Sequence, residues 1–503
     1  MKHKAGLFIG LLWSCSLFAQ QPSATLDQGN VRFHVQNTGV LFQENGAPGF
    51  EVPKGSGIHS ILSSSLWVGG LDSAGNIRLS IATYDTSGRD FIPGPLDKTT
   101  VQPDDSSYWN YTWKVDSTEI ANHQTLYNNT GYVAPWAITN WPGSNKRPGN
   151  YNQVLAPFFD INTNTIYEPE LGEVPHISGT EAAYVIFNDQ RTHQLSSGNG
   201  MGLEILCMVY TVPELPEVVF AKYRIINRSS RIYDSVYAGI FTDFLLGNPM
   251  DNFTGSDSVR NSYFCYNALP HDSNGYEDMP PVMGVKFLSA KMNKCIGFSW
   301  DENDPQGWPQ TNNDYYSYLK ALWKDGSEMT DPNSLQKSYL YEGDPCTGAG
   351  WTEYGSAGVL PGRRNMLGSS GPYSLKQGEA IFLDLAYIFT QKKSKISENV
   401  CAFNTDADAV QSYWDSNLSS LTRASEKNSL KVYPNPSSGT IHWELPAGIE
   451  TVSIQLVNMK GQVISIEERD NSYKAQNLPT GIYLLRITDL QGNLYQSKVV
   501  LTK

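Results

Sequence analysis

Cysteine is scarce in this 503-residue chain: Cys15, Cys207, Cys265, Cys295, Cys346 and Cys401 are all there are, and no two stand at C-x-x-C spacing. A zinc ribbon or a dithiol redox centre therefore has no residues to be built from. Positive charge is short too, with 37 Lys and Arg against 50 Asp and Glu and a formal net charge of −13. An acidic surface repels phosphate backbones, which argues against nucleic acid as a partner and suits cations. Beyond the N-terminus no stretch approaches the roughly eighteen uninterrupted apolar residues of a spanning helix, so no transmembrane segment is expected. H-E-x-x-H and G-x-S-x-G are both missing, and the Gly368–Gly371 stretch GSSG reads as a turn rather than a nucleophile site. His34, His59, His123, His176, His193, His271 and His442 show no metal-ligand spacing.

What the N-terminus does have is an export signature. Lys2, His3 and Lys4 precede the apolar run from Ala5 to Trp13, and the small residue Ala19 stands before Gln20, which predicts a secretory signal over residues 1–19. Its removal takes away two lysines and no acid, so the charge falls to −15. Cys15 leaves with it, and the five remaining cysteines enter a compartment where disulfides form, with at least one thiol left unpaired.

Aromatics at 12%, 43 glycines and 28 prolines form an all-β composition, with extended apolar runs between turn residues. In VVFAKYRIIN from Val218, one face reads Val219, Ala221, Tyr223 and Ile225, the period of a strand. AIFLDLAYIF from Ala380 is apolar on both faces, as a strand in the middle of a sandwich would be. Only Asp406–Leu421 carries a helical period, through Val410, Tyr413, Trp414 and Leu418, and the polar stretch TRASEKNS after it reads as a linker. Past the linker the pattern resets to hairpins: VSIQLVNMKGQVIS turning at Lys460-Gly461, and GIYLLRITDLQGNLYQSKVVL turning at Gln491-Gly492-Asn493. The expected architecture is a large β-sandwich-rich passenger over residues 20–402, a helix and linker over 403–428, and a small immunoglobulin-like antiparallel β-sandwich over 429–503.

That last segment carries a resemblance. Tyr433-Pro434-Asn435-Pro436, then Gly439, then VNMKGQVI, then LPTGIYLLRI from Leu478 and a strand ending at Lys503 resemble, in order, the C-terminal sorting domain (type A) of type IX secretion substrates in the Bacteroidota. The resemblance implies a folded address read by an outer-membrane translocon and a sortase, with the cargo released or attached to surface lipopolysaccharide. SLWVGGLDSAGN, GRDFIPGPLD, YYSYLKALWKDG and RRNMLGSSGPYSLKQGEA, spread over residues 30 to 400, are similar to segments of large secreted Bacteroidota proteins bearing the same tail. That group brings no reaction with it.

Two oxygen-rich stretches are candidate calcium sites. In FFDINTNTIYEPELGEVP, Asp160, Asn162 and Asn164 occupy positions 1, 3 and 5 of a D-x-N-x-N loop, and Glu168 falls at position 9. Calcium takes six to eight oxygens, and alternate residues of a tight loop can direct theirs at one centre. Thr165 stands where a glycine eases such a turn and Leu171 where a bidentate Glu is expected, with Glu170 or Glu173 as substitutes. In the second stretch, Asp243, Asp251, Asn252 and Asp257 surround Gly247 and Gly255, and a loop holding three carboxylates is easier to keep with a cation. The functional expectation is a secreted or surface-displayed cargo acting as a structural or binding protein, with calcium as its candidate cofactor. The alternatives are a carbohydrate-active hydrolase working through an acidic pair, or a carbohydrate-binding adhesin using the aromatics of NYTWKV, APWAITNWPG and NNDYYSYLKALW on a glycan.

Overall fold

The computed structural model describes residues 22–502 apart from 86–88, 104–106, 145–154, 163, 357–358, 393–395, 419–427, 446–450, 459–462, 467–470, 476–477 and 490–493. The expected signal at 1–19, most of the expected linker and the tips of both tail hairpins lie outside the described residues. The chain divides into one unit ending at Asp408 and a second over Ala409–Lys503.

The first unit is an all-β sandwich. Its larger sheet runs Asn252–Asp257, Ser262–Asn267, Val282–Phe287, Ala380–Thr390, Val218–Asn227, Leu203–Thr211, Glu181–Asn188 and Ile92–Pro93, with Trp113–Asp116 also paired to Glu181–Asn188. The smaller sheet runs Lys294–Phe298, Asn365–Leu375, Tyr233–Phe244, His59–Leu71 and Phe50–Glu51, with Ile77–Ile81 beside His59–Leu71. Every pairing in both sheets is antiparallel. Val219, Ala221, Tyr223 and Ile225 all enter the core between the sheets, and the doubly apolar Ala380–Thr390 strand lies mid-sheet between Val218–Asn227 and Val282–Phe287. The alternation of side chains along each strand produces this directly.

Polar bonds bridge the two sheets through that core. Tyr387 of the larger sheet meets Ser64 of the smaller at 2.9 Å, and the Tyr263 hydroxyl donates to the Ile240 carbonyl at 2.9 Å. A buried phenol left unpaired would cost about 1–3 kcal/mol, so these contacts select one sheet-on-sheet alignment. The smaller sheet is buried on its outer face as well. There Trp67, Phe241, Ile296, Phe298 and Leu367 pack with Tyr315, Tyr316, Tyr318 and Leu319 of the helix Asn312–Leu319. That second layer explains why the strand His59–Leu71 is buried along nearly its whole length instead of alternating.

Besides the single turn Trp136–Thr139, three of the described helices depart from the sequence reading. Ser117–Leu126 starts at a capping box, with Asp116 accepting the Thr118 and Glu119 amides and Glu119 accepting the Asp116 amide, and Asn312–Leu319 starts at the Thr311/Asp314 equivalent. The third helix runs Ile396–Tyr413, starting ahead of the expected Asp406 because Val400 and Phe403 extend the buried stripe upstream.

The edge strand Asn252–Asp257 is closed by chain from residues 341 to 362. The Ser256 amide donates to the Tyr341 carbonyl at 3.1 Å, the Thr254 amide to Glu353 Oε2 at 2.6 Å, and the Gly362 amide to the Asn252 carbonyl at 3.0 Å. Unpaired edge groups invite another chain, and this cover removes the invitation. Arg364 Nε holds Glu353 at 2.7 Å, and a Cys346–Cys401 disulfide ties the segment to the helix. Cys207, Cys265 and Cys295 are free and buried.

The second unit has two facing sheets. One runs Asn428–Ser429, Leu494–Leu501, Gly481–Asp489, Thr451–Asn458 and Val463–Ser465; the other runs Lys431–Tyr433, Thr440–Glu444 and Ser472–Lys474. Both hairpins read from the sequence pair antiparallel, while Asn428–Ser429 joins Leu494–Leu501 in parallel, a departure from an all-antiparallel tail. Its own core contains Ile441, Trp443, Leu456, Leu485, Ile487 and Val499.

Candidate functional sites

The D-x-N-x-N loop closes as its spacing suggests. Asp160 accepts the Asn164 amide on Oδ1 at 3.1 Å and the Thr165 amide on Oδ2 at 2.9 Å. The carboxamides of Asn162 and Asn164 both donate to Glu168 Oε2, at 2.9 and 2.7 Å. Asp160, Asn162, Asn164 and Glu168 are thus brought together at the surface. Glu173, fully buried, sits behind the loop and accepts the Ile161 amide on one oxygen at 3.0 Å and the Glu168 amide on the other at 2.8 Å, clamping the two ends. Thr165 adopts φ 64°, the left-handed backbone that the missing glycine would have supplied. Glu170 and Leu171 fall in a short 3-10 turn that follows.

The second stretch is taken apart. Asp243 ends the long strand Tyr233–Phe244 and is fully buried against Arg363, at 3.1 Å from Nε and 2.5 Å from Nη2, with the Tyr84 hydroxyl donating at 2.9 Å. Burial raises its pKa despite the guanidinium. Asp257 ends the strand Asn252–Asp257 at the far side from Asp251, about 20 Å away at 3.3 Å per residue. It accepts the Val259 and Arg260 amides and pairs with the Arg260 guanidinium at 2.9 Å. Only Asp251 and Asn252 stay together, and they gain neighbours the sequence reading did not name. Asn267 is the register partner of Asn252, and its side chain donates to the Leu269 carbonyl at 3.2 Å and acts on Asp251. Asp272 also acts on Asp251; burial first and that neighbour second push the Asp251 carboxyl up to about 6.

Among the described residues no three of His, Cys, Asp and Glu gather to hold a metal ion. The oxygen sets above combine carboxylates with carboxamides.

Ser196, His193 and Asp90 do come together, fully buried, in a pattern that resembles a hydrolase triad in composition only. The Ser196 hydroxyl donates straight to Asp90 Oδ2 at 2.6 Å, both groups crowd His193 Nδ1 at 3.4 Å, and His193 Nε2 is tied to the Asp189 carbonyl at 3.0 Å. A triad needs the histidine between serine and carboxylate, one nitrogen to each. Here the cluster braces the loop that follows the strand Glu181–Asn188.

The aromatic stretches are mostly interior. Trp113 and Trp141 are buried and donate to the Asn140 and Pro157 carbonyls, and Tyr315, Tyr316 and Tyr318 are covered beneath their helix. Trp300, 37% exposed, stacks on Trp308 at 4.5 Å and carries the Arg363 guanidinium at 4.4 Å. A groove of about 710 Å³ lies along the covered edge, lined among others by Asp257, Arg260, Asp331, Lys337, Glu342 and Trp351. Its charges are largely paired with one another, Arg260 to Asp257 and Lys337 to Asp331.

Residues 431–502 match the family described as the secretion system C-terminal sorting domain. The tail is a sorting domain. Its two-sheet core spans the matched residues, and its presence marks the chain for export, to secretion or surface attachment, by the type IX machinery. A search of curated protein sequences finds no match. Solved structures similar to the chain include a polysaccharide lyase at 7% identity and a TM-score of 0.19, covering 59% of this chain and 34% of the lyase. The chain thus spans about a third of that lyase's length. Another is a protein of Escherichia coli K12 described as an aldose 1-epimerase, at 8% identity and a TM-score of 0.24, covering 74% of this chain and 99% of that one. At these TM-scores neither carries an argument about chemistry. No helix among the described residues is long and apolar enough to cross a membrane.

Proposed function

We propose that the chain is a type IX cargo whose first unit works outside the cell as a structural or binding module, stiffened by calcium at the Asp160–Glu168 loop. The observation that carries this reading is the sorting domain at residues 431–502, joined to a unit with a separate and much larger core. An address on its own core can be read by the translocon and a sortase while the cargo stays folded. The disulfide and the covered sheet edge suit a protein that has to persist outside the cell, free or held on surface lipopolysaccharide. For the loop, support comes from four side chains already gathered at D-x-N-x-N spacing. Turning the Asn162 carboxamide over would replace its nitrogen by oxygen beside Glu168, giving hard oxygen donors from two carboxylates and their amide neighbours.

The test of delivery compares full-length protein with a chain truncated after Asp408, in a host carrying the secretion system. Full-length protein is expected in the medium or on the surface, and truncated protein in the periplasm. Equal amounts outside the cell would overturn the reading. The calcium component is tested by melting the full chain with calcium and with chelator; an unchanged melting temperature in wild type, together with no heat on calcium titration, removes it.

A further inference from the structure

We infer that a second calcium site lies at one end of the larger sheet, built by Asp251, Asn252, Asn267 and Asp272. It extends the calcium reading above to a place that does not share a residue with the Asp160–Glu168 loop.

The four residues are assembled by register and turn geometry. Asn252 and Asn267 face each other on neighbouring antiparallel strands, which puts their Cα atoms about 5 Å apart with side chains on the same face. Asn267 and Asp272 both lie close enough to act on Asp251. The Asp272 carboxylate is held in place by the Asn248 amide at 2.9 Å and the Tyr276 amide at 2.7 Å. It also fills the space of two missing side chains: a Cβ on Gly247 or Gly275 would fall 1.9 or 2.3 Å from its Oδ2.

Three buried oxygens here have no hydrogen to accept among the described residues, Asp251 Oδ1, Asn252 Oδ1 and Asn267 Oδ1, and the Asn252 Nδ2 beside them has no acceptor. Their residues are 5%, 0% and 0% exposed, and Asp272 is 0%. Buried acceptors are normally satisfied, so three on neighbouring residues with a second carboxylate acting on one of them call for an occupant. Charge decides which kind. Several deeply buried acids of this unit have a basic partner, Asp243 with Arg363, Glu353 with Arg364, Glu204 with Arg228 and Glu181 with Lys114, while Glu173 and Asp189 are held by hydrogen-bond donors on both carboxylate oxygens. Among the described residues the positive group acting on Asp251 and Asp272 is His271, which is half-exposed and already tied to Asp278 at 2.8 Å and Glu277 at 3.3 Å. Water would satisfy the oxygens and leave two neighbouring carboxylates unneutralised. A divalent cation does both, and all-oxygen donors of mixed charge on flexible connections are what calcium accepts, with water or carbonyls filling its remaining positions. The bound ion would tie the connection after strand Tyr233–Phe244 to the turn that follows Ser262–Asn267.

The test is calcium titration calorimetry on the full chain carrying Asp160→Ala and Glu168→Ala, which disables the surface loop. One calcium is expected to remain, and adding Asp251→Asn, an isosteric change, is expected to weaken it at least tenfold. A wild-type chain that binds calcium while the loop variant binds none would overturn this site and leave the loop standing. Unchanged affinity on adding Asp251→Asn would overturn it as well. Crystals of the unaltered protein grown with calcium provide a readout independent of variant folding. A strong peak 2.3–2.6 Å from Asp251 Oδ1, Asn252 Oδ1 and Asn267 Oδ1 is expected, and a peak at water distances alone would refute the inference.

Discussion

Thr165 shows what a single residue decides. It holds the left-handed backbone at position 6 of the D-x-N-x-N loop, where a β-branched side chain costs about 1–2 kcal/mol relative to glycine. On the proposed calcium reading, Thr165→Gly is expected to raise calcium affinity several-fold, because less strain accompanies closure of the loop around an ion. Part of the gain is returned through the greater freedom of an unfolded glycine. Calorimetry on the two proteins measures the difference, and equal or weaker affinity in the glycine variant would show that the turn is not limiting. Asp251 gives a pH signature. Its folded pKa, about 6, lies above the usual aspartate value near 4, so the folded state binds the proton more tightly. Stability in chelator should consequently fall as pH rises from about 4 through about 6, and Asp251→Asn should remove that component. Melting temperatures across that range, wild type against variant, provide the check; parallel curves would contradict the assignment.

At the scale of elements, the exposed rim of the larger sheet depends on a segment whose described residues form no helix or strand. Residues 341 to 362 satisfy the Asn252–Asp257 edge through Tyr341, Glu353 and Gly362, and the Cys346–Cys401 bond anchors them. Loop-closure entropy for a sequence separation of 55 corresponds to about 4 kcal/mol. Replacing both cysteines by serine is expected to lower stability by roughly that amount and to expose residues 341–362 to protease first. Denaturant unfolding with parallel proteolysis tests it, and a loss below about 1 kcal/mol would mean that the hydrogen bonds alone hold the cover. The helices illustrate the opposite case, in which the signal was local but short. Asp116 with Glu119, and Thr311 with Asp314, are capping boxes visible in the sequence, yet the amphipathic period that usually accompanies them is weak over such lengths.

For the whole molecule, the division into a cargo and an address predicts that damage to one leaves the other intact. Trp443 is 1% exposed in the core of the second unit, and Trp443→Ala should cost about 3–5 kcal/mol, enough to unfold a sandwich of that size. Export should then fail while the melting transition of the first unit stays where it is. Continued secretion of a Trp443→Ala chain with an unfolded tail would argue that the translocon reads a linear signal rather than a fold. The tail was legible in advance because its motifs are contiguous, and strands such as Val218–Asn227 because alternation is written residue by residue. The surface loop was legible for the same reason, its four side chains falling within nine positions of one another.

The linear chain determined the all-β class, the hairpins of the tail and the gathering of Asp160, Asn162, Asn164 and Glu168, since each depends on interactions between near neighbours. Only the tertiary structure decided that Asp243 belongs to Arg363, that Asp257 sits at the opposite end of its strand, and that Asn267 and Asp272 join Asp251 and Asn252. Strand register and sheet order set which distant residues meet, and those are fixed by the burial of the core as a whole, a quantity that no short window of sequence contains.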